Sequence, residues 1–244
     1  MTAAPSVTGG PTIWVEGVRH DGWAVGPWVL GHGTAPAMSL WENGFVAGPL
    51  VEVRTESADG VVVLSFDVRE ASDSDTAPPS QHAGRDAGLV AASGEVPLRV
   101  QRLAAYALVT SPRGVLLTQL SERTNAAGRW GLPGGGVDPG EDPQVAVLRE
   151  VTEETGQQVR LTGLLGVHDG HWVGRAPDGR LEDFHAVRLI WRAVCDAPTD
   201  PVVHDIGGTT AAAAWVPRAA LAGLPLSDAW AALLRAADSG SLGA

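Results

Sequence analysis

Hydrophobic and polar positions alternate in short runs along much of this chain, and these runs predict two sets of β-strands. In the first set, residues 51–55 and 61–68 flank residues 57–60, a short loop ending in Asp-Gly that is typical of a tight hairpin. Further strand-length apolar runs lie at 13–15, 28–30, 101–110, 115–120, 186–194 and 211–216.

Two other segments carry helical patterns. Residues 143–155 follow Asp142, whose side chain can accept hydrogen bonds from a first helical turn, and precede Gly156, a frequent residue just past a helix end. Residues 227–237 place their large apolar side chains on one side, namely Trp230, Leu233 and Leu234. Strands and helices mixed in this order predict an α/β fold.

Composition divides the chain into three parts. Residues 1–70 form a small β-rich N-terminal region, and residues 71–96, rich in Ser, Asp, Pro and Gly, are expected to be a linker. Residues 97–244 would form the main domain. Four tryptophans in the first part are expected to fill its small core rather than to bind a ligand: Trp14, Trp23, Trp28 and Trp41.

The charge balance excludes several classes of function. The net charge of -11 argues against stable nucleic-acid binding, which depends on accumulated positive charge. All 17 basic residues are arginine, so P-loop lysine and Schiff-base chemistry are excluded. Cys195 is the single cysteine, which excludes an intrachain disulfide and a cysteine zinc cluster and suggests a small core residue.

The start of the chain lacks the basic and apolar segments of a secretory signal, and no uninterrupted apolar run of about 18 residues follows. We therefore expect a cytoplasmic protein with no membrane partner.

A cluster of carboxylates lies on the first predicted helix. At about 100° per residue, Glu150, Glu153 and Glu154 fall within one arc beside an apolar flank, and Arg149 can offset one of their charges. A divalent cation would neutralise the cluster, although a solvated acidic face is an equally good explanation of the spacing alone. The glycine-rich residues 134–136 before the helix favour a ligand site, because they let backbone approach a ligand closely.

These residues together resemble the Nudix box, G-x5-E-x7-R-E-U-x-E-E-x-G-U. The match lies at Gly135, Glu141, Arg149, Glu150, Val151, Glu153, Glu154 and Gly156. Gln157 departs from it, standing where an aliphatic residue is usual, and Val159 is expected to supply that packing. The resemblance covers about residues 97–238 and implies a Nudix-type α/β/α sandwich with a mixed sheet.

The resemblance also implies a metal-dependent hydrolase acting on a nucleoside diphosphate linked to another group. Mg²⁺, with Mn²⁺ as an alternative, would be held by Glu150, Glu153, Glu154 and the Gly134 carbonyl. Arg149 would orient the glutamates, while Gly135, Glu141 and Gly156 would support the motif. Glu150 and Arg149 would thus act in catalysis with Glu153, the favoured general base.

Several assignments around the box stay open. Glu182, Asp183 and Asp205 are alternative bases, although each is more typical of a surface acid. Arg123 and Arg129 are candidates for binding a substrate phosphate, since a guanidinium can grip two oxygens. Four histidines lack the spacing of a helical metal site and are expected to be satisfied or exposed: His168, His171, His185 and His204.

Markers outside the box leave the substrate open among ADP-ribose, a nucleotide sugar and a nucleoside triphosphate. The partner is thus expected to be a small-molecule nucleotide, and a homodimer is a further expectation. A catalytically silent nucleotide sensor on the same fold is the alternative function.

Overall fold

The computed structural model describes residues 11–56, 60–79, 83–86 and 88–238, with side chains described as far as residue 234. The chain divides into two compact units. One unit comprises Met1–Ala104, Gly136–Pro143 and Leu164–Leu189; the other comprises Ala105–Gly135, Gln144–Gly163 and Ile190–Ala244.

Strands greatly outnumber helices in the described residues. The strands are β1 (Thr12–Arg19), β2 (Ala24–Val29), β3 (Phe45–Glu56), β4 (Val61–Glu70), β5 (Gly84–Arg85), β6 (Leu98–Ser111), β7 (Gly114–Leu120), β8 (Trp130–Gly131), β9 (Gly134–Gly136), β10 (Arg160–Arg175), β11 (Leu181–Val194) and β12 (Thr210–Val216). The helices are α1 (Pro36–Glu42), α2 (Pro143–Thr155) and α3 (Asp228–Asp238), with a 3-10 turn at Arg218–Gly223. None of these described helices is both long and apolar enough to cross a lipid bilayer.

The first sheet belongs to the first unit and has the strand order β2-β1-β4-β3. β3 and β4 pair antiparallel, which confirms the predicted hairpin, whereas β1 pairs with β4 in parallel. The predicted hairpin loop itself, residues 57–59, lies outside the described residues. Ile13 and Val15 are buried at alternate positions of β1, whereas Val62, Val63 and Leu64 of β4 are all buried, so both faces of β4 are covered.

The four N-terminal tryptophans do not fill this core, so that prediction was wrong. Trp23 is 71% exposed, and the other three are only partly buried. The physical reason is that aliphatic side chains and Phe66 already occupy the buried positions of β1 and β4, so the indole rings stay at least partly exposed.

The second sheet is larger and mixed. Its order is β12-β7-β6-β11-β10-β5, with β8 paired to β7 and β9 paired to β6. The pairing of β5 with β10 is parallel, whereas β7 pairs antiparallel with β6, β8 and β12. The predicted strands at 101–110, 115–120, 186–194 and 211–216 all lie within observed strands, and the α/β class is confirmed.

Residues 71–96, expected to be a linker, make specific contacts in the first unit. Gly84 and Arg85 pair with Trp172 and Val173 of β10. The Glu95 carboxylate accepts two hydrogen bonds from the guanidinium of Arg175, at 2.5 and 2.7 Å. These contacts fasten parts of the segment to β10.

Gln157 is buried, contrary to the expectation that Val159 would take its place in the core. Val159 was expected to replace it in the core, but Val159 is only partly buried while Gln157 is itself 2% exposed. Its amide Nε2 donates to Thr199 Oγ1 at 2.9 Å, and its Oε1 accepts from the Thr199 backbone N–H at 3.0 Å. Cys195, buried as predicted, places its thiol 3.8 Å from the same Oε1. The amide therefore satisfies polar groups that an aliphatic residue could not.

We expect the family-like substitution Gln157→Leu to destabilise this protein by about 2 kcal/mol, because it leaves the Thr199 amide without its partner. Urea unfolding followed by circular dichroism measures the change. The matched control is Gln158→Leu at the neighbouring exposed position, which should change stability by less than about 0.5 kcal/mol. A Gln157→Leu protein as stable as the wild type would contradict this account.

Candidate functional site

Helix α2 carries the acidic cluster, and its ends lie where the sequence predicts them. The helix runs from Pro143 to Thr155, and Gly156 follows with φ of +67°, a left-handed conformation that favours glycine. The Gly156 N–H donates to the Thr152 carbonyl at 2.8 Å. Backbone N–H groups of His204 and Asp205 donate to the Glu153 carbonyl, at 2.8 and 3.2 Å, and so satisfy the last turn.

Glu154 is the buried member of the cluster. The residue is 6% exposed, and its carboxylate accepts hydrogen bonds from the Gly134 backbone N–H, at 2.9 Å, and from the Thr210 hydroxyl. Burial raises the pKa of this carboxyl to about 7, the charges of Glu150 and Asp205 add to the increase, and the two hydrogen bonds oppose it. A cation beside Glu154 would lower this pKa, because it stabilises the charged carboxylate.

Glu150 and Glu153 flank Arg149 on the same helix. The Arg149 guanidinium lies 3.0 Å from a Glu150 oxygen and 3.2 Å from a Glu153 oxygen, so it bridges the two carboxylates. The Glu150 side chain is 18% exposed, whereas that of Glu153 is 47% exposed. The three glutamates thus range from buried to solvent-accessible along one helix face.

The glycine loop approaches these carboxylates more closely than other residues could. Gly134 has φ of +141°, and a Cβ there would lie 2.3 Å from the Ala105 carbonyl oxygen. A Cβ on Gly135 would lie 2.6 Å from the Glu150 carboxyl. The loop therefore brings backbone against both Glu154 and Glu150, as the glycine-rich lead-in suggests.

Glu141 lies in the turn that precedes α2. Its carboxylate accepts from the Asp138 backbone N–H at 3.1 Å, and its own N–H donates to the Asp138 carbonyl at 3.0 Å. These bonds close the turn before the helix, an arrangement compatible with the supporting role expected of Glu141.

The two candidate phosphate-binding arginines have different surroundings. Arg123 is exposed, with its guanidinium near Gly207. Arg129 donates to the Leu226 carbonyl at 3.0 Å and lies 3.9 Å from Asp228, at the start of α3. Arg129 is thus occupied by the segment that leads into α3.

The three acidic residues considered as alternative general bases have different surroundings. Asp205 follows the loop that contacts the end of α2, and its charge acts on Glu154. Glu182 pairs with Arg180 at 3.5 Å, and Asp183 lies beside His32 and His171. Of these acids, Asp205 is the one with an electrostatic effect on the box glutamates.

Sequence reasoning missed Thr210, whose hydroxyl reaches Glu154 from β12. Thr210 lies 56 residues from Glu154 in the sequence and belongs to no recognised motif. Only a prediction of which strand lies beside α2 could have identified this contact.

The expectation of satisfied or exposed histidines was wrong for His171 and His185. In the described part of the chain, His171 Nδ1 and His185 Nε2 are buried without hydrogen-bond partners. Burial, reinforced by positive charge on His32 and His171, lowers the pKa of His185 to about 4, so this ring is neutral at neutral pH. Spacing on a single helix could not reveal the cluster, because its members come from separate strands and a loop.

Part of this chain is similar to known proteins. Nucleoside triphosphatase NudI from Salmonella schwarzengrund (strain CVM19633) is 33% identical over 108 residues, covering 43% of this chain and 76% of that protein. NudI from Enterobacter sp. (strain 638) is 30% identical over 135 residues, covering 53% of this chain and 91% of that protein.

Among solved structures, the MutT NUDIX hydrolase from Burkholderia pseudomallei is 30% identical with a TM-score of 0.42, covering 55% of this chain and 96% of that one. The NUDIX domain model matches residues 100–235, more than half of the chain, and includes the whole of the glycine loop and α2. With its eight fixed box positions all present, the chain belongs to the Nudix hydrolase family.

Proposed function

We propose that this protein is a Mg²⁺-dependent hydrolase that cleaves a phosphoanhydride bond in a nucleotide. Among ADP-ribose, a nucleotide sugar and a nucleoside triphosphate, we favour the triphosphate, because the NudI relatives bear the name nucleoside triphosphatase. The reaction would take place within residues 97–244, with residues 1–70 as an N-terminal region that contacts β10 and β11 through His32, and 71–96 as the connection.

One observation carries the proposal: Glu154 is buried, and yet it lies beside two other acidic groups. Its pKa is raised to about 7, first by burial and then by the charges of Glu150 and Asp205. A purely structural carboxylate gains nothing from such surroundings, since burial without a cationic partner disfavours its charged form. A cation-binding role accounts for both the burial and the neighbouring charges.

The donor set fits Mg²⁺ or Mn²⁺. Glu150, Glu153 and Glu154 offer carboxylate oxygens, and Gly134 offers a carbonyl oxygen on a loop that already binds Glu154. Hard divalent cations prefer such oxygen ligands. When bound, the metal ion supplies charge neutralisation for the phosphate oxygens as the anhydride bond breaks.

The remaining roles belong to the side chains of the protein. Arg149 bridges Glu150 and Glu153 and would hold their carboxylates in position. Glu153, with about half of its side chain exposed, would accept the proton of the attacking water. Exposed Arg123 would bind a substrate phosphate, whereas Arg129 would need to leave the Leu226 carbonyl to do so.

The test is a panel of nucleoside triphosphates, ADP-ribose and nucleotide sugars, each incubated with Mg²⁺, Mn²⁺ or a chelator, with the nucleotide products and any phosphate or pyrophosphate quantified by anion-exchange chromatography. We expect at least one substrate to be hydrolysed only with a divalent cation, with nucleoside triphosphates turned over fastest. Tight nucleotide binding without any turnover would contradict the proposal and favour a sensor. Size-exclusion chromatography with light scattering of the same sample tests the expected homodimer.

A further inference from the structure

A group of three histidines and one aspartate lies within the first unit, on residues other than those of the acidic helix. His32 lies between β2 and α1, His171 lies on β10, and Asp183 and His185 lie on β11. The ring centroids of the three histidines are 5.3 to 6.0 Å apart, and each pair meets edge to face. Imidazole and carboxylate groups brought together from three segments form a set of metal-ligand types.

Two imidazoles converge on one carboxylate oxygen. Asp183 Oδ1 lies 2.5 Å from His171 Nε2 and 3.1 Å from His32 Nε2. The candidate ligand atoms of these three residues all lie within 4.8 Å of one another. Tetrahedral zinc with bonds of about 2.0–2.1 Å separates its ligand atoms by about 3.3 Å, so small side-chain shifts would suffice to bind the ion.

Hydrogen bonds alone leave this cluster poorly satisfied. Within the described residues, Nδ1 of His32, Nδ1 of His171 and Nε2 of His185 are buried without a hydrogen-bond partner. His32 Nε2 lies 3.1 Å from Asp183 Oδ1 but without hydrogen-bond geometry. Each such nitrogen costs about 1–3 kcal/mol when it is left unpaired. A proton between His171 and Asp183 satisfies only one contact, whereas a cation would bind His32, His171 and Asp183 together.

The surroundings of the cluster orient it. His185 Nδ1 lies 3.0 Å from Gln101 Oε1, and Gln101 Nε2 donates to the Leu30 carbonyl at 3.4 Å. These two hydrogen bonds fix the orientation of the Gln101 side-chain amide. His185 therefore donates through Nδ1, and its Nε2 is left as an acceptor.

The backbone beside His32 packs directly on His171. Gly33 has φ of +73°, and a Cβ there would lie 2.6 Å from the His171 ring. Glycine thus permits the loop after β2 to approach β10 closely enough for His32 and His171 to share Asp183. Arg99 lies 3.9 Å from the other oxygen, Asp183 Oδ2, and leaves Oδ1 to the two histidines.

We propose that His32, His171 and Asp183 bind Zn²⁺, with His185 lining the site, and that the ion fastens the loop after β2 to strands β10 and β11. Two imidazoles and one carboxylate suit zinc and disfavour Mg²⁺, which selects oxygen ligands. This site uses none of the Nudix-box residues, so it is independent of the proposed function.

The test measures zinc binding to the untagged, full-length, chelator-treated protein in millimolar Mg²⁺, which occupies oxygen-ligand sites. We expect one equivalent of Zn²⁺ by mass spectrometry of metals, and a rise in the thermal unfolding temperature on adding Zn²⁺. His171→Ala and the isosteric Asp183→Asn should each weaken binding at least about 100-fold and abolish that rise. His20→Ala, at an exposed histidine of the same unit, is the matched control and should bind as the wild type does.

A Glu154→Gln variant separates the two metal sites, because it should retain the zinc equivalent. The proposal is overturned if the wild type binds no Zn²⁺ at micromolar concentrations, or if Glu154→Gln loses the zinc while Asp183→Asn retains it. Should the histidine variant fail to fold, Co²⁺ bound to the wild type still decides the matter. A visible spectrum typical of tetrahedral cobalt with nitrogen ligands supports the site, and its absence overturns it.

Discussion

Replacing Glu154 with glutamine should lower Mg²⁺-dependent turnover by at least about 100-fold, a loss of about 3 kcal/mol of transition-state stabilisation. Glutamine keeps the shape of the side chain, and its Oε1 can still accept from the Gly134 N–H. The Thr210 hydroxyl can rotate to accept from the new amide. The substitution therefore removes the negative charge while disturbing the packing little, and the steady-state rate of product formation measures the effect.

For stability, we expect the same substitution to be favourable: it should raise the stability of the metal-free protein at alkaline pH. The pKa of Glu154 in the folded, metal-free protein is about 7, above its usual value of 4.5, so the folded state binds the proton more tightly than the unfolded state does. Stability from this group is fully present below about pH 4.5 and is lost as the pH rises through 7, by about 3 kcal/mol. Glu154→Gln should lack this loss, and its metal-free form should be the more stable protein at pH 8.

Urea unfolding with chelator present, at pH 5 and pH 8, measures this difference. Glu42→Gln, at an exposed position on α1, is the matched control and should leave both turnover and the pH dependence of stability unchanged. A Glu154→Gln protein that hydrolyses its substrate normally would refute the metal assignment. One that is inactive but less stable than the wild type at pH 8 would mean that the loss of activity reflects damage to the fold.

Replacing Gly135 with alanine should weaken the apparent affinity for Mg²⁺ by about 10- to 100-fold. The added Cβ would lie 2.6 Å from the Glu150 carboxyl, so that side chain must move, but the φ of Gly135 is not in the left-handed region. The backbone thus accepts alanine, and we expect stability to fall by no more than about 1 kcal/mol. Turnover measured against Mg²⁺ concentration should therefore show a higher metal requirement.

Two neighbouring substitutions sharpen this test. Gly134→Ala places a Cβ 2.3 Å from the Ala105 carbonyl at φ of +141°, where the backbone must distort, so it should destabilise the fold as a whole. Gly163→Ala, with no atom within 4 Å of the added Cβ, is the control and should leave the metal requirement unchanged. An unchanged metal requirement in Gly135→Ala would show that Glu150 does not bind the ion.

Local sequence signals predicted those parts of the fold that depend on local interactions. Helix α2 and its terminal Gly156 were predicted from capping residues and apolar spacing, and they lie within a residue of the expected positions. The β3–β4 hairpin was predicted from two strand-length runs that flank a short loop ending in Asp-Gly. Strand β10 was missed, since the polar and glycine residues in Arg160–Arg175 obscure a two-residue period.

The part of the candidate site that lies on one helix was predictable from the sequence, because it too depends on local geometry. Glu150, Glu153 and Glu154 share a helix, so their common face follows from helical geometry. Which of them is buried does not follow, because Gly134 and Thr210 determine the burial of Glu154 from elsewhere in the chain. The histidine group was missed on the same grounds, since 139 residues separate His32 from His171.

The donor of the hydrogen bond from Gly134 to Glu154 is a main-chain N–H group. This has a consequence for which amino-acid replacements the enzyme can accept. A donor that belongs to the peptide group survives replacement of any side chain, and only proline at that position would delete it outright. Surrounding side chains can therefore diverge towards new substrates while the anchor of the buried carboxylate persists.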